Sequence, residues 1–132
     1  MAANDKLVFK TASELAGLIK SKEISPVELT TAVLDRITAL NPKLSAFITV
    51  TDKQALSNAK TAETEIRGGK YRGPLHGIPY GAKDIFATKG IRTTNGSKAT
   101  ADWVPQIEST ATQRLNNAGA ILVGKLNLYE FA

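Results

Sequence analysis

Lys83 is the residue whose type and setting come nearest to chemistry. It follows Gly81 and Ala82, two small residues beside which other chain segments can approach closely. It lies near the C-terminal end of a predicted strand, where open α/β sheets gather reactive groups. A lysine acts as a base only when neutral, which takes burial or a neighbouring positive charge. Asp84 comes next, but in an extended chain it projects to the opposite face. On these features alone, Lys83 reads as an ordinary surface lysine at a strand end.

Other candidates carry less. His76, the single histidine, stands between Leu75 and Gly77. It reads as a structural histidine bonding a loop rather than as a triad base. GAILVGKL, from Gly119 to Leu126, imitates a phosphate-binding loop. Leu126 stands where that loop needs a magnesium-binding Ser or Thr, and the residues between are strand-like, so the reading is rejected. Asn95-Gly96-Ser97 matches a glycosylation acceptor, yet no signal peptide is visible at MAANDKLVFK to bring it to that machinery.

These residues must be held by regular elements. Thr11 and Glu14 form a capping box ahead of an apolar face made by Ala12, Leu15, Ala16 and Ile19, which predicts a first helix. A second opens at Ser25-Pro26, runs along Leu29, Val33, Ile37 and Leu40, and ends at Asn41-Pro42. Residues 44–50 alternate with a strand period. Thr51 and Gln54 read as another capping box, opening a helix that turns Leu56, Ala59, Ala62 and Ile66 inward and stops at Gly68-Gly69. GPLHGIPYGAKD, from Gly73 to Asp84, predicts a strand entered through a tight turn, and residues 87–108 read mostly as loop. Ser109 caps a fourth helix carrying Ala111, Leu115 and Ala118, closed by Gly119. The apolar run Ala120–Val123 suits a strand buried on both faces. Asn127 and Glu130 form a last capping box, and the sequence stops one turn later. One turn does not hold as an isolated helix, so the sequence reads as cut within an element. Helices alternating with strands give an α/β fold.

Composition narrows the function. With 132 residues, 42% hydrophobic, the chain can bury a core of its own. It has no cysteine and one histidine, which excludes thiolate and histidine-rich metal sites. Nothing approaches the roughly 18 consecutive apolar residues of a membrane span, so no membrane partner and a cytoplasmic location are expected. The net charge is +5, but 17 basic residues are scattered among 12 acidic ones and aromatics are sparse. No stacking platform for nucleic acid follows from that, and no nucleic-acid partner is expected.

A longer pattern changes the reading of Lys83. GPLHGIPYGAKDIFATKGIRTT, from Gly73 to Thr94, resembles the lysine segment of the amidase signature family. STATQRLNNAGAILVGKLNLYEFA, from Ser109 to Ala132, is similar to the stretch that follows it there. SPVELTTAVLDRI and LNPKLSAFITV resemble the family's opening. The resemblance runs from Thr11 to the last residue, with the motifs in order. It implies the N-terminal portion of a large mixed β-sheet covered by α-helices. Residues 1–132 would then be part of a single domain, truncated before the family's serine-rich segment.

The resemblance also implies a catalytic set made of a lysine, a bridging serine held through a cis peptide, and a nucleophilic serine. Lys83 stands where that lysine stands. No G-G-S-S-G-G-like segment occurs here, so the fragment alone is expected to be inactive. A neutral lysine taking a proton relayed through the bridging serine frees the nucleophile to attack an amide, with no metal or organic cofactor. The implied partner is a small-molecule amide in the full-length enzyme, and a homo-oligomer is allowed. A general amidase acting on small or aryl amides is the first expectation. The alternative within the family is the glutaminase subunit of a tRNA-dependent amidotransferase. A rival from another class is a non-catalytic module that binds a complementary chain.

Overall fold

Five consecutive residues, Ile121 to Lys125, are buried in the computed structural model, which describes residues 3–132. Burial along every residue rather than every second one is what a central strand covered on both faces requires. That strand, Ile121–Leu126, is the last of three. The others are β1, Phe47–Val50, and β2, Pro79–Lys83, so it is β3. It lies between them, antiparallel to β1 and parallel to β2. The chain is therefore α/β with a small mixed sheet, as expected. The helices are α1, Ala12–Lys20, α2, Pro26–Leu44, α3, Asp52–Arg67, and α4, Thr110–Asn117, with short 3-10 turns at Ala3–Phe9 and Lys98–Thr100.

Local signals set most helix starts. At α1 the capping box forms in full: the Glu14 carboxylate accepts from the Thr11 N–H at 2.7 Å, and Thr11 Oγ1 accepts from the Glu14 N–H at 3.3 Å. Ser25 caps α2 by accepting from the Glu28 N–H at 3.0 Å, and Pro26 opens the helix where its missing donor costs nothing. Ser109 caps α4 in the same way.

Several expectations need correction. α2 does not end at Asn41-Pro42 but runs to Leu44. Pro42 lies in the last turn, and the exit is decided further on. Ser45 takes the left-handed conformation and its N–H bonds the Asn41 carbonyl at 2.8 Å. The Asn41 amide grips both peptide groups of Phe47, at 2.8 and 3.0 Å. β1 therefore begins at Phe47, not Leu44. The Thr51 capping box is absent, because the hydroxyl donates to the Leu122 carbonyl at 2.9 Å and so ties α3 to β3. In α4 the buried residue is Thr112, while Ala111 is exposed. Residues 127–132 form a turn rather than a helix. Asn127 Oδ1 accepts from the adjacent Leu128 N–H, and the Glu130 carboxylate accepts from the Ser97 hydroxyl at 2.6 Å.

The core has two clusters that share Val33 on α2. Leu15, Ile19, Leu29, Ile66 and Ile78 form one, with Leu7 from the first turn. The other sets Leu34 and Ile37 of α2 and Ala55 and Ala59 of α3 against Ile121 and Val123 of β3. Two alanines with no exposed surface let α3 lie close to its neighbours. Among the described residues no helix is long and apolar enough to cross a membrane.

The closest approach in the sheet is at Gly124. A Cβ there would come within 2.5 Å of the Thr49 carbonyl oxygen and 2.8 Å of Phe47 Cδ1. Gly124→Ala should therefore destabilise the chain by about 1–3 kcal/mol. Gly17, in α1, has nothing within 4 Å of a Cβ, and Gly17→Ala should instead stabilise by about 0.5–1 kcal/mol through helix propensity. Denaturant midpoints of the two variants should move in opposite directions; a shared direction would contradict the packing described.

Candidate active site

Lys83 is the last residue of β2 and pairs with Leu126. Its side chain is exposed and Asp84, the next residue, is fully buried, so the two part to opposite sides as the extended backbone demands. Lys83 Nζ donates to the Asn127 carbonyl at 2.7 Å. That carbonyl is well held. The Asn127 N–H bonds the Ala46 carbonyl at 2.8 Å and its side-chain amide bonds the Ser45 carbonyl at 3.0 Å. The end of α2 thus fixes the group on which Lys83 rests. Among the described residues no serine hydroxyl bonds Lys83.

On the buried side lies a lysine that sequence reasoning left without a role. Lys125 has no exposed surface, and its Nζ lies 2.8 Å from the Phe86 carbonyl, 2.7 Å from Thr93 Oγ1 and 3.4 Å from Asp84 Oδ1. Burial lowers its pKa, and the Asp84 carboxylate opposes that shift. The rejection of GAILVGKL as a phosphate loop fits, since Gly124 and Lys125 belong to a strand. The available signal was a charge inside an otherwise apolar run, which demands a buried partner.

His76 is a structural residue of a second polar group. It is 1% exposed and its Nδ1 accepts from the Arg72 N–H at 3.1 Å, so its ring proton sits on Nε2. Nε2 lies 3.1 Å from Glu65 Oε2, off the line of a good hydrogen bond. Burial lowers the histidine pKa, which keeps the ring neutral. A Cβ on Gly119 would strike the ring, so the glycine that closes α4 also makes room for the histidine. Arg72 grips Glu65 at 2.9 and 2.7 Å, and Lys70 adds a bond at 3.1 Å. Glu65, Arg72 and His76 line a polar cleft of about 310 Å³ whose walls also include Lys89 and Glu108 but not Lys83. The cleft and the candidate base are therefore separate features. No cluster of three metal-ligating side chains occurs among the described residues.

Fold and site together describe a unit of a layered α/β protein whose mixed sheet presents a lysine at a strand end. Residues 28–132 match the amidase family, and the chain belongs to it. It is 50% identical over 122 residues to a glutamyl-tRNA(Gln) amidotransferase subunit of Geobacter sp., covering 92% of this chain and 25% of that protein. The corresponding protein of Moorella thermoacetica is 44% identical over 127 residues, covering 96% and 26%. Among solved structures, the native peptide amidase from Stenotrophomonas maltophilia superposes with a TM-score of 0.88 at 36% identity, over 94% of this chain and 26% of that one. The chain spans about a quarter of the length of the relatives it matches.

The Glu65 group yields a pH dependence. Hydrogen bonds from Arg72 and then Lys70 hold the Glu65 carboxyl down from 4.5 to about 2. A depressed carboxyl gives stability that is full above its unfolded value and lost as pH falls through the folded one. Glu65→Gln should be less stable than wild type at pH 7, and the gap should shrink between pH 4.5 and about 2. Unfolding midpoints measured across that window decide it; a gap that stays constant would remove Glu65 from the acid transition.

Proposed function

We propose that the chain supplies the base of an amide-hydrolysing enzyme, with Lys83 as proton acceptor. The observation that carries this is Lys83 itself, an open amine at the C-terminal end of a strand, braced by the Asn127 carbonyl, in a chain of the amidase family. A neutral Lys83 would take a proton relayed through a bridging serine from a nucleophilic serine, both supplied by chain beyond these 132 residues. The nucleophile would attack the amide carbonyl, backbone N–H groups would hold the oxyanion, and water would release the acid after ammonia or an amine has left.

Glutamine is the favoured amide. The relatives named as glutamyl-tRNA(Gln) amidotransferase subunits include one at 50% identity, against 36% for the peptide amidase. A general amidase is the second reading. Ammonia release from L-glutamine, compared with release from small aryl and peptide amides, separates the two.

The 132-residue chain alone should show background hydrolysis only, since among the described residues no serine stands against Lys83. The base is tested in a polypeptide completed with the C-terminal portion of the Geobacter relative. There Lys83→Ala should lower kcat by about 10⁴-fold or more. Lys83→Arg should fail nearly as badly, because a guanidinium stays charged. Lys89→Ala, an exposed neighbour, should behave like wild type. Retention of most activity by Lys83→Arg would end the assignment of Lys83 as base.

A further inference from the structure

Lys125 is surrounded by acceptors alone. The Phe86 carbonyl and Thr93 Oγ1 take two of its protons, and Asp84 Oδ1 faces it at 3.4 Å. Thr93 has already spent its own hydroxyl proton on the Ile91 carbonyl at 3.1 Å, so towards Lys125 it can only accept. A neutral amine has two protons and a lone pair, and here the lone pair would confront an oxygen. The site is built for the ammonium, and Glu108 adds a further negative charge in its vicinity.

What the ammonium holds is the residue after Lys83. Asp84 Oδ2 accepts from the Thr94 N–H at 2.8 Å and from the Thr94 hydroxyl at 2.5 Å, and the Gly96 N–H in turn bonds that hydroxyl at 3.1 Å. The Asp84 N–H bonds the Leu126 carbonyl, and its carbonyl accepts from Asn95. Oδ1 alone has no hydrogen bond, and Lys125 is the charge that faces it. Without that charge, Oδ1 would be buried with neither a hydrogen bond nor a counter-charge, and a carboxylate that turns away disturbs the peptide that Lys83 and Asp84 share.

We propose that Lys125 is a positioning residue for Lys83: through Asp84, Thr93 and the Phe86 carbonyl it clamps the exit of β2 and the 86–94 loop, and so fixes the direction in which Lys83 leaves the sheet. The proposal rests on the reading of Lys83 as base. It assigns work to a buried ion pair that a purely structural account would leave as a costly element of the core.

The test uses the completed polypeptide. The charge-neutral double variant Lys125→Met/Asp84→Asn removes the pair without leaving an orphan charge, and such replacements are often neutral for stability. Its kcat should fall by about 10²-fold, the loss expected when a reacting group is misplaced by about 1 Å. KM should stay within about threefold of wild type, since uniform binding is untouched. In a Lys83→Ala background the same two substitutions should leave the residual rate unchanged, because a positioning residue acts only through the group it positions. A general structural defect would lower both rates alike. If circular dichroism shows the double variant unfolded, Thr93→Val, which removes one acceptor and keeps both charges, takes its place, with an expected fall in kcat of about tenfold at unchanged KM. A kcat within about threefold of wild type in the folded variant, or an equal loss in the Lys83→Ala background, overturns the proposal. Wild-type activity in Lys83→Ala itself would instead sink the reading of Lys83 as base, so the two failures are told apart.

Discussion

A strand buried along five residues has no solvent to satisfy its peptide groups, so neighbours must supply every bond. β3 meets that demand with β1 on one side and β2 on the other, and the rest of the chain is arranged to keep those two in place. Asn41 sets where β1 begins. Thr51 gives its hydroxyl and its N–H to β3 carbonyls at the start of α3. The Ile121 N–H bonds the Ile78 carbonyl, which starts the β2 pairing one residue before β2 itself. Lys83 is where it is because β2 is in register with β3 as far as Leu126.

The apolar clusters explain stability but do not aim any side chain. The aiming is done by polar groups with partners distant in sequence. Lys125 reaches residues 32 and 39 positions away, and Lys83 rests on a carbonyl 44 positions away. Each such contact closes a long loop at an entropic cost, recovered only when packing brings the segments together anyway. The polar geometry is therefore a consequence of the sheet, and a fault in β3 would be felt at Lys83 as well as in the helices packed on it.

This division also marks what the sequence could tell. The capping signature worked at Thr11/Glu14, where the partner is three residues away and nothing competes. The same signature misled at Thr51/Gln54 and Asn127/Glu130. Thr51 found Leu122, 71 positions on, and Glu130 found Ser97, 33 positions back. Pro42 misled because a single missing donor in a last turn weighs less than the Asn41 and Ser45 contacts that settle the exit. The apolar run of β3 was legible because burial on both faces leaves an unbroken hydrophobic string. Lys125, the charge at its end, was passed over because its partners lie in other segments. The family segment singles out Lys83 as the proposed base, while the Asn127 carbonyl on which it rests gives no sequence signal, since a backbone carbonyl leaves no trace in residue type.

The two lysines at the end of this sheet differ in how they are held. Lys125 faces three acceptors, so deprotonation would leave an oxygen opposed by a lone pair inside the core, and Asp84 would lose its counter-charge. Lys83 has one acceptor, the Asn127 carbonyl. The fold thus places a buried lysine held by acceptors from two other segments beside an exposed one that rests on a single carbonyl, on adjacent strands. Rigidity lies on the buried side of the sheet, and the exposed side is left open to whatever packs or binds there.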